Sequence, residues 1–129
     1  MAERSRDWFR QAGHDLDKAK LDRQWRYYEW ACFTAHQAAE KAIKAVYYVR
    51  HGEARGHGVR ELLTSLGLPI DEALLKQAAS LDRFYIPTRY PNGLPAGAPH
   101  DYFSEEDAVQ AIEAAEVMLA WCQSYLPRP

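Results

Sequence analysis

Several things are scarce in this 129-residue chain, and each shortage removes a class of protein. There are two cysteines, Cys32 and Cys122, both inside strongly helical patterns. That excludes a disulfide-rich secreted scaffold and places both thiols among expected core positions, where neither would act as a nucleophile. No apolar run approaches the roughly 20 residues needed to cross a bilayer. The opening Met1-Ala2-Glu3-Arg4-Ser5-Arg6-Asp7 lacks the apolar stretch of a signal peptide, so a cytoplasmic location and no membrane contact are expected. Neither sign of charge dominates, with 16 Lys plus Arg against 18 Asp plus Glu and a formal net charge of −2. This balance argues against a domain that coats nucleic acid electrostatically, while leaving room for a local basic patch. His14, His36, His51, His57 and His100 have no compact ligand spacing, so neither a metal nor another cofactor is predicted. Gly93-Leu94-Pro95-Ala96-Gly97 lacks both the full pattern and the following lysine of a phosphate-binding loop. Alternating strand patterns and internal repeats are also missing.

What is present is helical periodicity, enough for one compact domain over residues 1–129. A first helix is predicted over about Asp7 to Asp22, with Ser5 as its cap and Phe9, Ala12, Leu16 and Ala19 as its buried stripe. Asp15 lies beside that stripe. The second helix, about Tyr28 to Arg50, is the longest. Ala31, Ala35, Ala38, Ala42, Ala45 and Val49 form one seam, and Cys32, His36, Ala39, Ile43 and Val46 a second. Such a wide apolar arc suits the centre of a bundle, and the alanines let neighbours approach closely. Glu40 precedes Lys44 by four residues, the favourable order for a surface ion pair. After the basic, glycine-rich break at Gly52–Gly58 comes a short helix through Leu66. A fourth helix is capped by Asp71 and reaches about Tyr85. Ile86 to Phe103 has no periodicity and forms an unusually long connection. Ser104 and Asp107 resemble a capping box for the last helix, whose buried stripe is Ala108, Ile112, Ala115, Leu119 and Cys122. The fold class is all-α: an up-and-down bundle of four long helices plus one short helix, with a long loop before the last helix.

Leu81-Asp82-Arg83-Phe84-Tyr85-Ile86-Pro87-Thr88-Arg89-Tyr90-Pro91 carries the densest functional signal. An arginine fork at Arg89, with Arg83 nearby, suits a phosphate, and Tyr85, Phe84 or Tyr90 suits a stacked base. The structural alternative pairs these arginines with Asp82, Asp101 or the acidic start of the last helix. Lys41 and Lys44, one turn beyond Gln37, would join a phosphate-binding face if the long loop folds over them; otherwise they are solvated or paired with Glu40. Asp15 and Glu40 would supply acid–base carboxylates only if the fold joins them. His57, after Gly56, suits a role in orienting the short third helix. Trp25, Tyr27, Tyr28, Trp30, Tyr47 and Tyr48 exceed the aromatic surface one bundle needs, which suits a homodimer, with internal packing as the alternative.

The chain resembles the HEPN domain family, specifically its small prokaryotic branch associated with minimal nucleotidyltransferases. The resemblance rests on Trp8-Phe9-Arg10-Gln11-Ala12-Gly13-His14-Asp15-Leu16, the stretch from Tyr28 to Ala45, Gly56-His57, and Leu81-Asp82-Arg83-Phe84-Tyr85 with Thr88-Arg89-Tyr90-Pro91. It implies a helical bundle that forms homodimers, with a nucleotidyltransferase-like protein as partner and a nucleotide or RNA as ligand, in a toxin–antitoxin setting. The family's ribonuclease branch carries an arginine followed four to six residues later by a histidine. Arg83 and Arg89 have no histidine at that distance, and Arg10 with His14 sits in the first helix instead. The resulting expectation is a nucleotide-binding or partner-binding module with no catalytic activity of its own. The alternatives are a metal-independent ribonuclease toxin, using Arg89 and His100, and a purely structural dimeric interaction module.

Overall fold

A computed structural model of the chain describes residues 4–50, 54, 56–85 and 91–127. The described residues form five α-helices: α1 (Ser5–Gln24), α2 (Tyr28–Arg50), α3 (Val59–Ser65), α4 (Glu72–Asp82) and α5 (Glu105–Gln123). Short 3-10 turns occupy Pro91–Gly93 and Pro99–Asp101 inside the long connection. The all-α bundle with one short helix is therefore as expected. α2 runs through its middle, packed along α1 on one side and α5 on another, while α3 and α4 close one end.

Alanine makes this arrangement possible. Ala31, Ala35, Ala38 and Ala42 of α2 are completely buried, as are Ala12 and Ala19 of α1 and Ala108, Ala111 and Ala115 of α5. With no side chain beyond Cβ, these faces bring the helix backbones close together. Larger residues fill the remaining space, chiefly Ile43, Leu63, Leu81 and Met118, each fully buried. Val49, expected in the α2 seam, is exposed near the end of that helix.

The helix ends follow local chemistry. The Asp71 side chain accepts from the Leu74 amide at 2.8 Å, and Ser104 and Asp107 form the expected capping box on α5. Ser5 is not a cap: it is the first residue of α1 and is buried, while Arg4 holds the cap position without a side-chain cap bond. α4 stops at Asp82 rather than Tyr85. Its end tightens into three-residue turns, with the Phe84 amide on the Leu81 carbonyl and the Tyr85 amide on the Asp82 carbonyl. The expected stop at Pro87 lies outside the described residues. Phe103 packs edge-on against the buried Phe84 at 5.8 Å and so ties the end of the long connection to the core.

Candidate functional site

The polar centre of the molecule is built where α3 and the end of α4 meet α2. Helix α3 begins at Gly58, which has no side chain to satisfy the first amides. Asp82 supplies the missing acceptor from the end of α4. Its Oδ1 accepts from the Val59 amide at 2.7 Å, and its Oδ2 accepts from the Arg60 amide at 3.0 Å. His36, fully buried on α2, lies with Nε2 3.1 Å from Asp82 Oδ1, and the Gln37 amide nitrogen is 3.4 Å from its Nδ1. Partial burial pushes the Asp82 carboxyl up, but the His36 hydrogen bond and the Arg60 and Val59 amides outweigh it and hold the group below its ordinary value. The Tyr47 hydroxyl adds a further tether by donating to the Leu62 carbonyl at 2.7 Å.

One helical turn along α2 from His36, Glu40 is buried to 4% exposure. Its Oε2 lies 3.0 Å from Lys44 Nζ and 3.1 Å from His57 Nδ1, while its Oε1 is buried with no hydrogen-bond partner among the described residues. His57 itself is 62% exposed at the side chain and stacks on Tyr85 at 5.8 Å. Tyr85 also meets His36 at 4.7 Å and stacks on Phe33 at 6.1 Å. An exposed imidazole with a buried carboxylate behind one nitrogen is the arrangement that leaves the other nitrogen for proton transfer.

The neighbouring lysine follows different partners. Lys41 Nζ donates to Asp15 of α1, whose other oxygen accepts from Gln11 at 2.8 Å. Asp15 and Glu40 therefore do not form a carboxylate pair, because each is taken by a lysine of α2. Trp8 stacks on Tyr48 at 5.5 Å, and Lys44 Nζ stands 5.9 Å from the Trp8 ring centre. Arg4, Asp7, Trp8, Gln11, Lys41 and Tyr48 line a groove of about 480 Å³ beside this pair.

The structure thus gathers Lys44 and Tyr85 around Glu40 and His57 and sets Lys41 on the adjoining groove. Arg83, exposed at the end of α4, lies over the Phe84 ring at 5.8 Å. It does not claim Asp82, which serves α3 and His36. Asp101 takes the Ala98 amide and faces His100, and it is Arg23 that meets Glu105 at 3.4 Å. Arg89 and Tyr90 lie outside the described residues. The Glu40–Lys44 pair, expected on the surface, is buried, with side-chain exposures of 6% and 11%. His57 belongs to Glu40 rather than orienting α3, and Asp82 does the orienting. The signal for that was a capless helix start at Gly58; nothing in the spacing identified which distant carboxylate would fill it. Tyr47 is internal, whereas Trp25, Tyr27 and Trp30 are exposed. Burial pushes the Cys32 thiol up to about 12 and raises Cys122 as well, consistent with core thiols. Among the described residues, no group of three or more His, Cys, Asp or Glu side chains could hold a metal ion, and no helix is long and apolar enough to cross a membrane.

The HEPN domain family matches residues 5–125. No curated protein matches the chain. Among solved structures, TT1696 from Thermus thermophilus is 39% identical, with 97% of this chain and 100% of that one covered at a TM-score of 0.91. ST0689, an archaeal HEPN homologue, is 38% identical over 96% of this chain and 98% of its own, with a TM-score of 0.79. The HEPN domain protein TM0613 from Thermotoga maritima is 34% identical over 95% and 99%, with a TM-score of 0.75. These findings correct the expectation of a module with no catalytic activity of its own. HEPN domains are as a rule catalytic ribonucleases, and a match of this extent argues against a non-catalytic role.

Proposed function

Because the chain belongs to the HEPN domain family, we propose that it cleaves RNA without a metal ion and that His57 moves the proton. The observation carrying this reading is the exposed His57 imidazole with the buried Glu40 carboxylate 3.1 Å from Nδ1. In the neutral ring, Nδ1–H donates to Glu40, and the Nε2 lone pair takes the proton from a ribose 2′-hydroxyl. The 2′-oxygen then bonds to phosphorus as the bond to the 5′-oxygen breaks. The imidazolium returns its proton to that leaving oxygen, giving a 2′,3′-cyclic phosphate and a free 5′-hydroxyl. Glu40 steadies the charged ring between these transfers. Exposed Arg83 is the proposed partner of the phosphate charge, and Tyr85 the stacking surface beside His57. His57 replaces His100 in this role, since His100 is exposed in the loop and faces Asp101.

Incubation of the purified chain with single-stranded RNA in chelator tests the reading. Cyclic-phosphate products are expected, with at least about a hundredfold loss in His57→Asn. Undiminished cleavage by that variant would remove His57 from the mechanism, and intact RNA with the parent protein would remove the activity.

A homodimer is part of the same proposal, with a nucleotidyltransferase-like protein as its regulatory partner in a toxin–antitoxin pair. Trp25, Tyr27 and Trp30 support self-association, being 70%, 57% and 43% exposed around the α1–α2 turn. Light scattering should give twice the chain mass; a monomer at micromolar concentration contradicts the dimer without touching the chemistry at His57.

A further inference from the structure

We infer that the groove between α1 and α2 is a base-stacking subsite that holds single-stranded RNA beside His57, an inference that rests on the RNA-cleaving reading above. The groove is open to solvent and has a volume of about 480 Å³. Its aromatic wall is the Trp8–Tyr48 pair, whose rings are 5.5 Å apart and inclined at 24°. Each ring is half-buried, so each is held by packing and still presents surface. A base stacking on such a fixed pair loses less freedom than one that must first order a mobile side chain.

The groove's polar groups favour a base over a bare phosphate. Arg4 is committed to Asp7 at 2.7 Å, and Lys41 to Asp15, so the cations arrive already neutralised. Gln11 gives one amide hydrogen to Asp15 at 2.8 Å and keeps its carbonyl oxygen and second hydrogen, an acceptor and a donor that suit the mixed edge of a nucleobase. The groove also joins the proposed reacting pair through one side chain. Lys44 stands 5.9 Å from the Trp8 ring and 3.0 Å from Glu40 Oε2, and Glu40 in turn is 3.1 Å from His57. On the other side of that pair, Tyr85 stacks on His57. Aromatic side chains thus stand on both sides of the reacting groups, Trp8 and Tyr48 on one and Tyr85 on the other. Stacking accepts every base, so the subsite selects single strands over duplex without reading sequence.

The test uses a short fluorescein-labelled 2′-O-methyl oligoadenosine, which cannot supply the attacking hydroxyl, and anisotropy to read its binding to the full chain. Trp8→Leu and Tyr48→Leu should each weaken binding about tenfold, in line with roughly 1–3 kcal/mol per stacked base. Trp8→Phe should restore most of the affinity, and an abasic version of the oligomer should bind all variants alike. If Trp8→Leu loses its helical circular dichroism, Tyr48→Leu and Trp8→Phe decide the matter. Unchanged affinity in Tyr48→Leu, an equal loss for the abasic oligomer, or no binding by the parent chain would each overturn the subsite. Cleavage of ordinary RNA is scored on the same proteins: binding as described without cleavage would defeat the nuclease reading and leave the subsite standing.

Discussion

Two faces of α2 are held by different physics. Along one face, Ala31, Ala35, Ala38 and Ala42 meet buried faces of neighbouring helices with no polar side chain among them. Along another face, the same helix reaches Asp82 of α4 through His36, Leu62 of α3 through Tyr47, and His57, just before α3, through Glu40. Helix α3 also buries Val59, Leu62 and Leu63, so its attachment is not purely polar. The contrast is one of direction. Apolar burial rewards contact without fixing orientation, whereas a carboxylate caught between two amides and an imidazole accepts only one placement. The region with directional contacts is also the one that presents His57.

The largest expected effect breaks the apolar side. Met118 of α5 is fully buried in the core, and Met118→Ala should cost about 3 kcal/mol through lost burial and an unfilled cavity. Chemical denaturation should show a lower midpoint with one cooperative transition, and amide exchange should quicken in α1, α2 and α5 together. Loss confined to α5 would mean that the alanine-packed helices do not unfold as a unit.

Asp82→Ala attacks the polar side and should cost less, about 2 kcal/mol. It removes the acceptor for the Val59 and Arg60 amides and leaves His36 buried without its partner. Part of the loss is recovered because the Asp82 side chain is 30% exposed and water can reach the freed amides. Exchange should quicken in α3 before the rest of the bundle; uniform quickening would erase the distinction between the two regions. Acid should imitate the substitution. The folded-state value for Asp82 is lowered, so the unfolded chain binds the proton more readily and stability rises with pH. Its contribution is complete above the ordinary carboxylate value of about 4 and is lost as pH falls through the lower folded value. The Asp82→Ala protein should therefore show a shallower loss of stability below about pH 4 than its parent, and equal slopes would remove Asp82 as the responsible group.

This contrast also explains what could be read before the structure. The alanine seams of α2, the caps at Asp71 and Ser104, and the buried stripe of α5 are local or periodic, so spacing alone reveals them. The site is made of contacts across distance: Asp82 to Val59 and Arg60, Glu40 to His57, Asp15 to Lys41. No periodicity encodes which carboxylate a given histidine or lysine will meet. Lys44 and Tyr85 were identifiable as candidates from their residue type and neighbours, but Glu40, which joins Lys44 to His57, read as half of a surface pair or as a carboxylate partner of Asp15. Its burial follows from where α3 returns, which the break at Gly52–Gly58 does not specify.

The smallest expected effect concerns a single hydroxyl. Tyr47 is buried to 7% exposure, and its hydroxyl donates to the Leu62 carbonyl at 2.7 Å. Burial chiefly raises its pKa, so the group remains a neutral donor. Tyr47→Phe keeps the ring and its packing while leaving one buried carbonyl without this donor, at a cost of about 1 kcal/mol. That loss should appear as a modest fall in the denaturation midpoint and faster exchange in α3, with α1 and α5 unchanged. Combined with Asp82→Ala, it should produce less than the sum of the separate losses, because both tethers hold the same helix and releasing one already loosens the other. Strict additivity would show that α3 is held at independent points. A shared loss would identify the polar end of the bundle as one unit, mechanically distinct from the alanine-packed body.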